Sequence, residues 1–179
     1  MAVGLPGPPI RPFRPEDAAA IVRHADDYEV WRRLRDRFPR PYTRRDAEEW
    51  IAFTASHDPP QHFAIEEAGA LVGGIGLIPG TDVDRVSAEV GYWLGRTAWG
   101  RGLATRALEA LTDYAFRAFD VTRLFATPFD DNPASIRVLE KAGWVLEGRL
   151  RSAVVKEGRV RDLLLYAATR PDLDRRRGG

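Results

Sequence analysis

The segment that most narrows the fold runs from Glu89 to Ala104. It reads Glu89–Val90–Gly91–Tyr92–Trp93–Leu94, a strand-like run, then Gly95 through Trp99, then Gly100–Arg101–Gly102–Leu103–Ala104. Beyond the loop, Leu103, Ala107, Leu111 and Ala115 recur every four residues, with Leu108 and Phe119 beside them. The glycine loop therefore opens a long helix, to about residue 119, with one stripe turned to a core. The first N–H groups of such a helix have no intrahelical partner and lie at the positive end of its dipole. Glycine and alanine let a phosphate oxygen approach that backbone without meeting side chains. The segment suits a pyrophosphate; read more plainly, it is a tight turn that caps a helix.

Elsewhere the apolar spacing alternates between helical and strand periods. Residues 10–13 form a short β-like run, and Asp17 is placed to cap a helix over 18–22. A second helix is predicted over 28–37, stopping at Phe38–Pro39 because proline disfavours helical geometry in the residue before it. Thr43 precedes a helical stretch with Ala47, Trp50, Ile51 and Ala55, ended by His57–Asp58–Pro59–Pro60. Strands follow at 62–66 and 71–78 around a turn at Ala68–Gly69, then a loop at 79–85 and a strand at 88–94. After the long helix, 123–127 is strand-like, Asn132–Pro133 starts a helix and Gly143 stops it. Strands at 144–155 and 160–168 are joined by Lys156–Glu157–Gly158–Arg159, a hairpin turn with glycine placed for positive φ. The prediction is one α+β domain over residues 10–169, without internal repeats or linkers. Residues 1–9, small and rich in Pro and Gly, and the basic residues 170–179 are expected to be flexible tails.

Composition removes several classes of function. With 179 residues, 44% hydrophobic and 30% charged, the chain suits a single soluble domain with a real core. The net charge of +1 gives no global field for nucleic acid. Arg32, Arg33, Arg35 and Arg37 read as a solvated face and Arg175–Arg176–Arg177 as part of the tail. There is no cysteine, which excludes disulfides, thiolate metal sites and cysteine nucleophiles. His24, His57 and His62 are not at ligand spacing, and Asp82, Asp84, Asp130 and Asp131 form no calcium loop, so no metal is expected. No apolar run is long enough for a bilayer and no secretion signal is visible, so a cytoplasmic protein without membrane contact is expected. The Walker loop and the Gly–x–Ser–x–Gly elbow are missing. A dinucleotide fingerprint would need glycine or alanine where Thr105 stands, within a βαβ unit.

Four further segments lie in order with the glycine loop. They are Phe38–Pro39–Arg40–Pro41–Tyr42–Thr43, Asp46–Ala47–Glu48–Glu49–Trp50–Ile51, Asn132–Pro133–Ala134–Ser135 running on to Ala142–Gly143–Trp144, and Glu147–Gly148 followed by the hairpin ending Asp162–Leu163–Leu164–Leu165–Tyr166. Together with the loop they span about residues 10–168. On these residues the chain resembles the GNAT superfamily of N-acetyltransferases, and within it the RimJ/RimL-like group that acetylates protein N-termini. The resemblance implies a mixed, mostly antiparallel sheet of about six to seven strands with helices on both faces. It implies acetyl-CoA as co-substrate, no metal, and a primary amine as acceptor.

In that family the strand matching Glu89–Leu94 is bulged and splays from the one at 124–127. Pantetheine and the thioester lie in the resulting V against the backbone of Tyr92, Trp93 and Leu94. The pyrophosphate falls to Trp99, Gly100, Arg101, Gly102, Leu103, Ala104 and Thr105, with side-chain contacts from Arg101 and Thr105. Trp99 stands where arginine or glutamine is usual, a change that main-chain phosphate contacts tolerate. Asn132 is either a helix cap or a contact to the pantetheine arm, or both. Chemically, the amine must be neutral to attack and the departing thiolate must be protonated; an α-amine with a pKa of about 8 needs only modest help. The resemblance offers Glu89 as the base, through water, against a reading as an acid on a solvated strand face. The family's usual tyrosine acid would fall at Leu139, and the RimL-like branch's late-strand glutamate at Val154. Ser135, which matches that branch's serine, is the candidate acid, or else an ordinary first-turn serine.

The acceptor is expected opposite the donor, past residues 31–42 and the hairpin near Lys156 and Arg159. A protein N-terminus, a small-molecule amine and a polyamine all remain open, as does a homodimer. Rival functions are transfer of another acyl group and a non-catalytic acyl-CoA sensor of the same fold.

Overall fold

A computed structural model of the chain describes residues 9–178, so the tail expected at 1–9 lies outside the described residues except for Pro9. Among the described residues seven strands form: β1 (Ile10–Arg11), β2 (His62–Glu67), β3 (Ala70–Pro79), β4 (Ser87–Leu94), β5 (Arg123–Ala126), β6 (Val145–Lys156) and β7 (Arg159–Thr169). The α-helices among the described residues are α1 (Ala18–Ala25), α2 (Tyr28–Trp31), α3 (Arg44–Ala55), α4 (Leu103–Ala118), α5 (Pro133–Lys141) and α6 (Arg170–Arg177). The strands make one sheet in the order β1-β2-β3-β4-β5-β7-β6. Its pairs are antiparallel except β4–β5. This is the mixed, mostly antiparallel α+β architecture expected.

Strand alternation decides what each face buries. On one face Ile75, Leu77, Ala88, Val90 and Leu94 meet the α4 stripe of Leu103, Ala107, Leu108, Leu111 and Ala115. Full burial of such large apolar side chains is worth about 1.5–3 kcal/mol each, which fixes the register of β4. On the other face Ala18, Ile21 and Ala25 of α1 pack with Ala47 and Ile51 of α3, with Phe38, Trp50 and Trp93 against them. α3 starts cleanly because Thr43 and Asp46 close a capping box.

Several local expectations are corrected. Asp17 does not cap α1: it is helical itself, ending a 3-10 turn, Pro15–Asp17. Its buried carboxylate accepts instead from the Arg14 N–H at 2.7 Å and the Arg11 guanidinium at 2.8 Å. The helix predicted over 28–37 stops at Trp31, and the N–H groups of Arg33 and Leu34 turn back to Val30 and Trp31. Tertiary partners claim the side chains there, and they outweigh the weak helical preference. Residues 170–177, expected as a flexible tail, form α6, opened by a Thr169–Asp172 capping box and held by Arg170 Nε donating to the Val121 carbonyl at 3.0 Å. The bulge expected in β4 is absent from its register with β3, which runs unbroken from Pro79↔Ala88 to Gly73↔Leu94.

Candidate functional site

The site begins where a ladder ends. β4 and β5 pair at Ser87↔Arg123, Ala88↔Leu124 and Glu89↔Phe125 and then part, β5 keeping only β7. From Val90 onward the β5-facing backbone groups of β4 have no strand partner, and such groups call for another one. A cavity of about 890 Å³ fills the gap. Its wall includes Glu89, Tyr92, Trp93, Leu94, Trp99, Gly100, Gly102, Leu103, Ala104, Thr105, Asn132 and Ser135.

The glycine loop presents bare main chain to this cavity. Gly100 and Gly102 have φ of +74° and +72°, a region that residues with a Cβ enter at a cost. Gly102 is the N-cap of α4 and, having no side chain, leaves the helix's first turn without a side-chain cap of its own. The unsatisfied N–H groups and the positive end of a 16-residue helix therefore face the same space, which favours an anion. Trp99 fastens the loop to the strand: its Nε1 donates to the Leu94 carbonyl at 2.9 Å, and the Arg33 guanidinium lies 4.9 Å above its ring. Arg101 departs from expectation. Its guanidinium reaches Glu67 at 2.8 Å and the Thr97 carbonyl at 2.7 Å, and it takes no part in the cavity wall.

Across the cleft, buried Asn132 caps α5 by accepting from the Ser135 N–H at 3.3 Å. The Ser135 hydroxyl lies 2.8 Å from the Tyr92 hydroxyl, which also lies 3.2 Å from the Ser135 carbonyl oxygen. Burial pushes the Tyr92 phenol well above its ordinary pKa, although the bond to Ser135 pulls the other way. Tyr92 thus stays protonated and able to donate. Leu139, one turn further along α5, is fully buried in the core and offers nothing to the cavity.

On the sheet face towards α1 and α3, Glu89 is half-buried, and its carboxylate has no hydrogen bond or ion pair with any described residue. It is the one carboxylate among the described residues that line the cavity. Residues 31–42 supply Arg33, Leu34, Arg35, Arg37, Phe38, Pro39 and Tyr42 to the wall. The hairpin does not line it but holds that segment: buried Lys156 places Nζ 2.8 Å from Asp36 Oδ1 and 3.4 Å from the Trp31 ring centre. The Tyr28 hydroxyl donates to Glu157 Oε1 at 2.8 Å.

Of the three histidines, His57 and His62 line the wall, a part that sequence reasoning does not assign them. Trp50, Phe53 and His57 follow at spacings of three and four, and that spacing was the available signal. His62 lies 4.8 Å from the Trp50 ring and 5.8 Å from His57, centroid to centroid. Burial, with the charges of His57 and Arg37 adding to it, lowers its pKa to about 4, so it lines the cavity as a neutral imidazole. Among the described residues no three His, Cys, Asp or Glu side chains gather as a metal site. Nor is any helix among them long and apolar enough to cross a membrane.

Comparison with known proteins bears on this geometry. A family profile described as "Acetyltransferase (GNAT) domain" matches residues 9–145. The uncharacterised N-acetyltransferase p20 of Bacillus licheniformis is 29% identical over 166 residues, covering 88% of this chain and 90% of that protein. The putative ribosomal N-acetyltransferase YdaF of Bacillus subtilis is 33% identical over 105 residues, 56% of this chain and 57% of that one. The structure of Mycobacterium smegmatis RimJ in complex with CoA-disulfide superposes with a TM-score of 0.81 at 29% identity, covering 92% of this chain and 82% of that one.

Proposed function

Since this chain belongs to the GNAT acetyltransferase family and is an N-acetyltransferase of its RimJ/RimL-like group, we propose that it moves an acetyl group from acetyl-CoA to the α-amine of a protein N-terminus. The observation that carries the donor is the uncapped start of α4 opening into the gap left by β5. The pyrophosphate takes the N–H groups after Gly100 and Gly102, and the pantetheine arm takes the backbone of Tyr92–Leu94 that β5 leaves free. Asn132 keeps its capping role and borders the arm.

The amine nitrogen attacks the thioester carbonyl carbon, the C–S bond breaks, and the attacking nitrogen loses a proton while the thiolate gains one. Glu89 takes the first proton through water. Ser135, held by Tyr92, donates to the departing sulfur. A general acid or base so placed is worth roughly 10²–10⁴ in rate.

Titration calorimetry with acetyl-CoA, joined to a free-thiol assay on peptides and small amines, tests this reading. Binding together with CoA release on a peptide α-amine is expected. Absence of binding would overturn the donor assignment. Binding without turnover on any primary amine would make the protein an acyl-CoA sensor.

A further inference from the structure

β4 is the fourth of seven strands, where both faces are ordinarily covered, yet its Gly91 is exposed. Residues on the α3 side of the strand are Glu89, Gly91 and Trp93, at every second position. Trp93 is covered by Phe38, with ring centroids 5.7 Å apart. Over Gly91 there is only the cavity.

Nothing in the fold asks for glycine at this position. A Cβ built on Gly91 would meet no atom within 4 Å, and its φ lies outside the left-handed region. Its neighbours on β3 differ: a Cβ on Gly74 would lie 2.8 Å from Trp93 Nε1, and one on Gly76 only 2.1 Å from His62 Nδ1. Those two are bare because side chains lie against them. Glycine in a strand interior weakens the strand, and one reason to keep it is close approach by a ligand's backbone.

Resting on the acetyltransferase reading, we propose that Gly91 is the acceptor-determining residue: the amine-bearing end of the acceptor crosses β4 there, and the missing side chain admits it. At about 3.3 Å per residue, Glu89 and Trp93 stand about 13 Å apart along the strand, wide enough for an extended chain to pass between them. Glu89 then lies near enough to the amine to take its proton through a water. The same wall carries Arg35, whose guanidinium donates to Thr127 Oγ1 at 2.7 Å, and Arg37, which has no hydrogen bond or ion pair among the described residues. One carboxylate in a wall that also carries Arg33, Arg35, Arg37, Arg137 and Lys141 suits a single amine on a neutral or acidic chain and disfavours a polycation. The acceptor class is therefore a peptide N-terminus, unbranched where it crosses Gly91, and not a polyamine.

The test compares wild type with Gly91→Ala and Gly91→Val on a peptide acceptor, with spermidine as a second substrate. The valine variant is expected to raise the acceptor KM at least tenfold, with a smaller change in kcat. Alanine should fall between it and wild type. Acetyl-CoA Kd should stay within twofold and Tm should not fall, since valine favours a strand. An unchanged acceptor KM in the valine variant overturns the proposal, as does an equal loss of acetyl-CoA affinity, which would move Gly91 to the donor side. Spermidine turned over as efficiently as the peptide overturns the acceptor class. Failure of the wild-type protein itself to transfer acetyl to any amine would instead remove the acetyltransferase reading, and this inference with it.

Discussion

The hydroxyl oxygens of Tyr92 and Ser135 lie 2.8 Å apart, joining β4 to the first turn of α5 across the cleft. Tyr92 can also donate to the Ser135 carbonyl oxygen at 3.2 Å. With its phenol pushed up by burial, Tyr92 acts as a fixed donor, and the Ser135 proton is free to turn towards the departing sulfur. Ser135→Ala is expected to lower kcat by about 10²-fold while leaving acetyl-CoA affinity nearly unchanged. Tyr92→Phe should cost about tenfold, since it removes only the orientation of Ser135. Steady-state kinetics beside calorimetry separates the two; full activity in Ser135→Ala would remove it from the chemistry.

Glu89→Gln keeps the shape of the wall and removes its carboxylate. A fall in kcat of about 10²-fold is expected, again with acetyl-CoA affinity unchanged. A variant that retains the wild-type kcat would return Glu89 to the role of a solvated acid on a strand.

Gly102→Glu puts bulk and negative charge at the uncapped start of α4, on a residue with φ of +72°. Acetyl-CoA affinity should drop more than 100-fold. Gly102→Ala, which adds only left-handed strain of about 1 kcal/mol, should lose much less. Calorimetry that finds the glutamate variant binding normally would sink the loop assignment.

The strands and α4 were legible in the sequence because one buried face imposes a period that local composition cannot hide: Ala88, Val90 and Leu94 on β4 and the fourfold spacing on α4 are such periods. The loop was legible for a similar reason, since little besides bare backbone follows from Gly100 and Gly102 before a helix. What was not legible depends on partners far along the chain. Helix α2 ends early where Arg35 bonds Thr127 and Lys156 meets Trp31 and Asp36. Arg101 turns to Glu67, and Asp17 to Arg11. Tyr92 and Ser135 were each singled out for separate roles, but their contact exists only because β4 leaves β5 after Glu89.

Lys156 gives a prediction about stability. It is 1% exposed, and its ammonium is held by a Trp31 ring and by Asp36, whose own side chain is 70% exposed. Lys156→Ala removes the cation and opens the seam between the hairpin and residues 28–36, and should destabilise the fold by about 2 kcal/mol. Lys156→Met refills the volume and should recover part of that loss. Thermal melts measure both. The same variants should raise the acceptor KM and leave acetyl-CoA Kd alone, because the segment they loosen carries Arg33, Arg35 and Phe38 of the wall.

His62 predicts a pH dependence of stability. Its folded pKa of about 4 lies below the ordinary value of 6.5, chiefly through burial. Between those values the unfolded chain binds a proton that the folded chain refuses. The contribution is therefore fully present above pH 6.5 and is lost as pH falls towards 4. Each tenfold change in proton affinity is worth about 1.36 kcal/mol, and His62 is only half-buried, so screening leaves a net effect on the order of 1 kcal/mol. Carboxylates held low in the fold, Asp17 among them, also lose stabilisation in acid, so the wild-type melting curve alone does not isolate the histidine. His62→Gln does: it keeps a polar side chain beside Trp50 and Gly76 but cannot take up the proton. Its Tm should fall less than the wild type's between pH 7 and pH 4.5, with the two curves running parallel only above pH 6.5. Curves that stay parallel through the whole range would mean that His62 protonates in the fold as readily as in the unfolded chain, and the aromatic wall around it would then have to admit water.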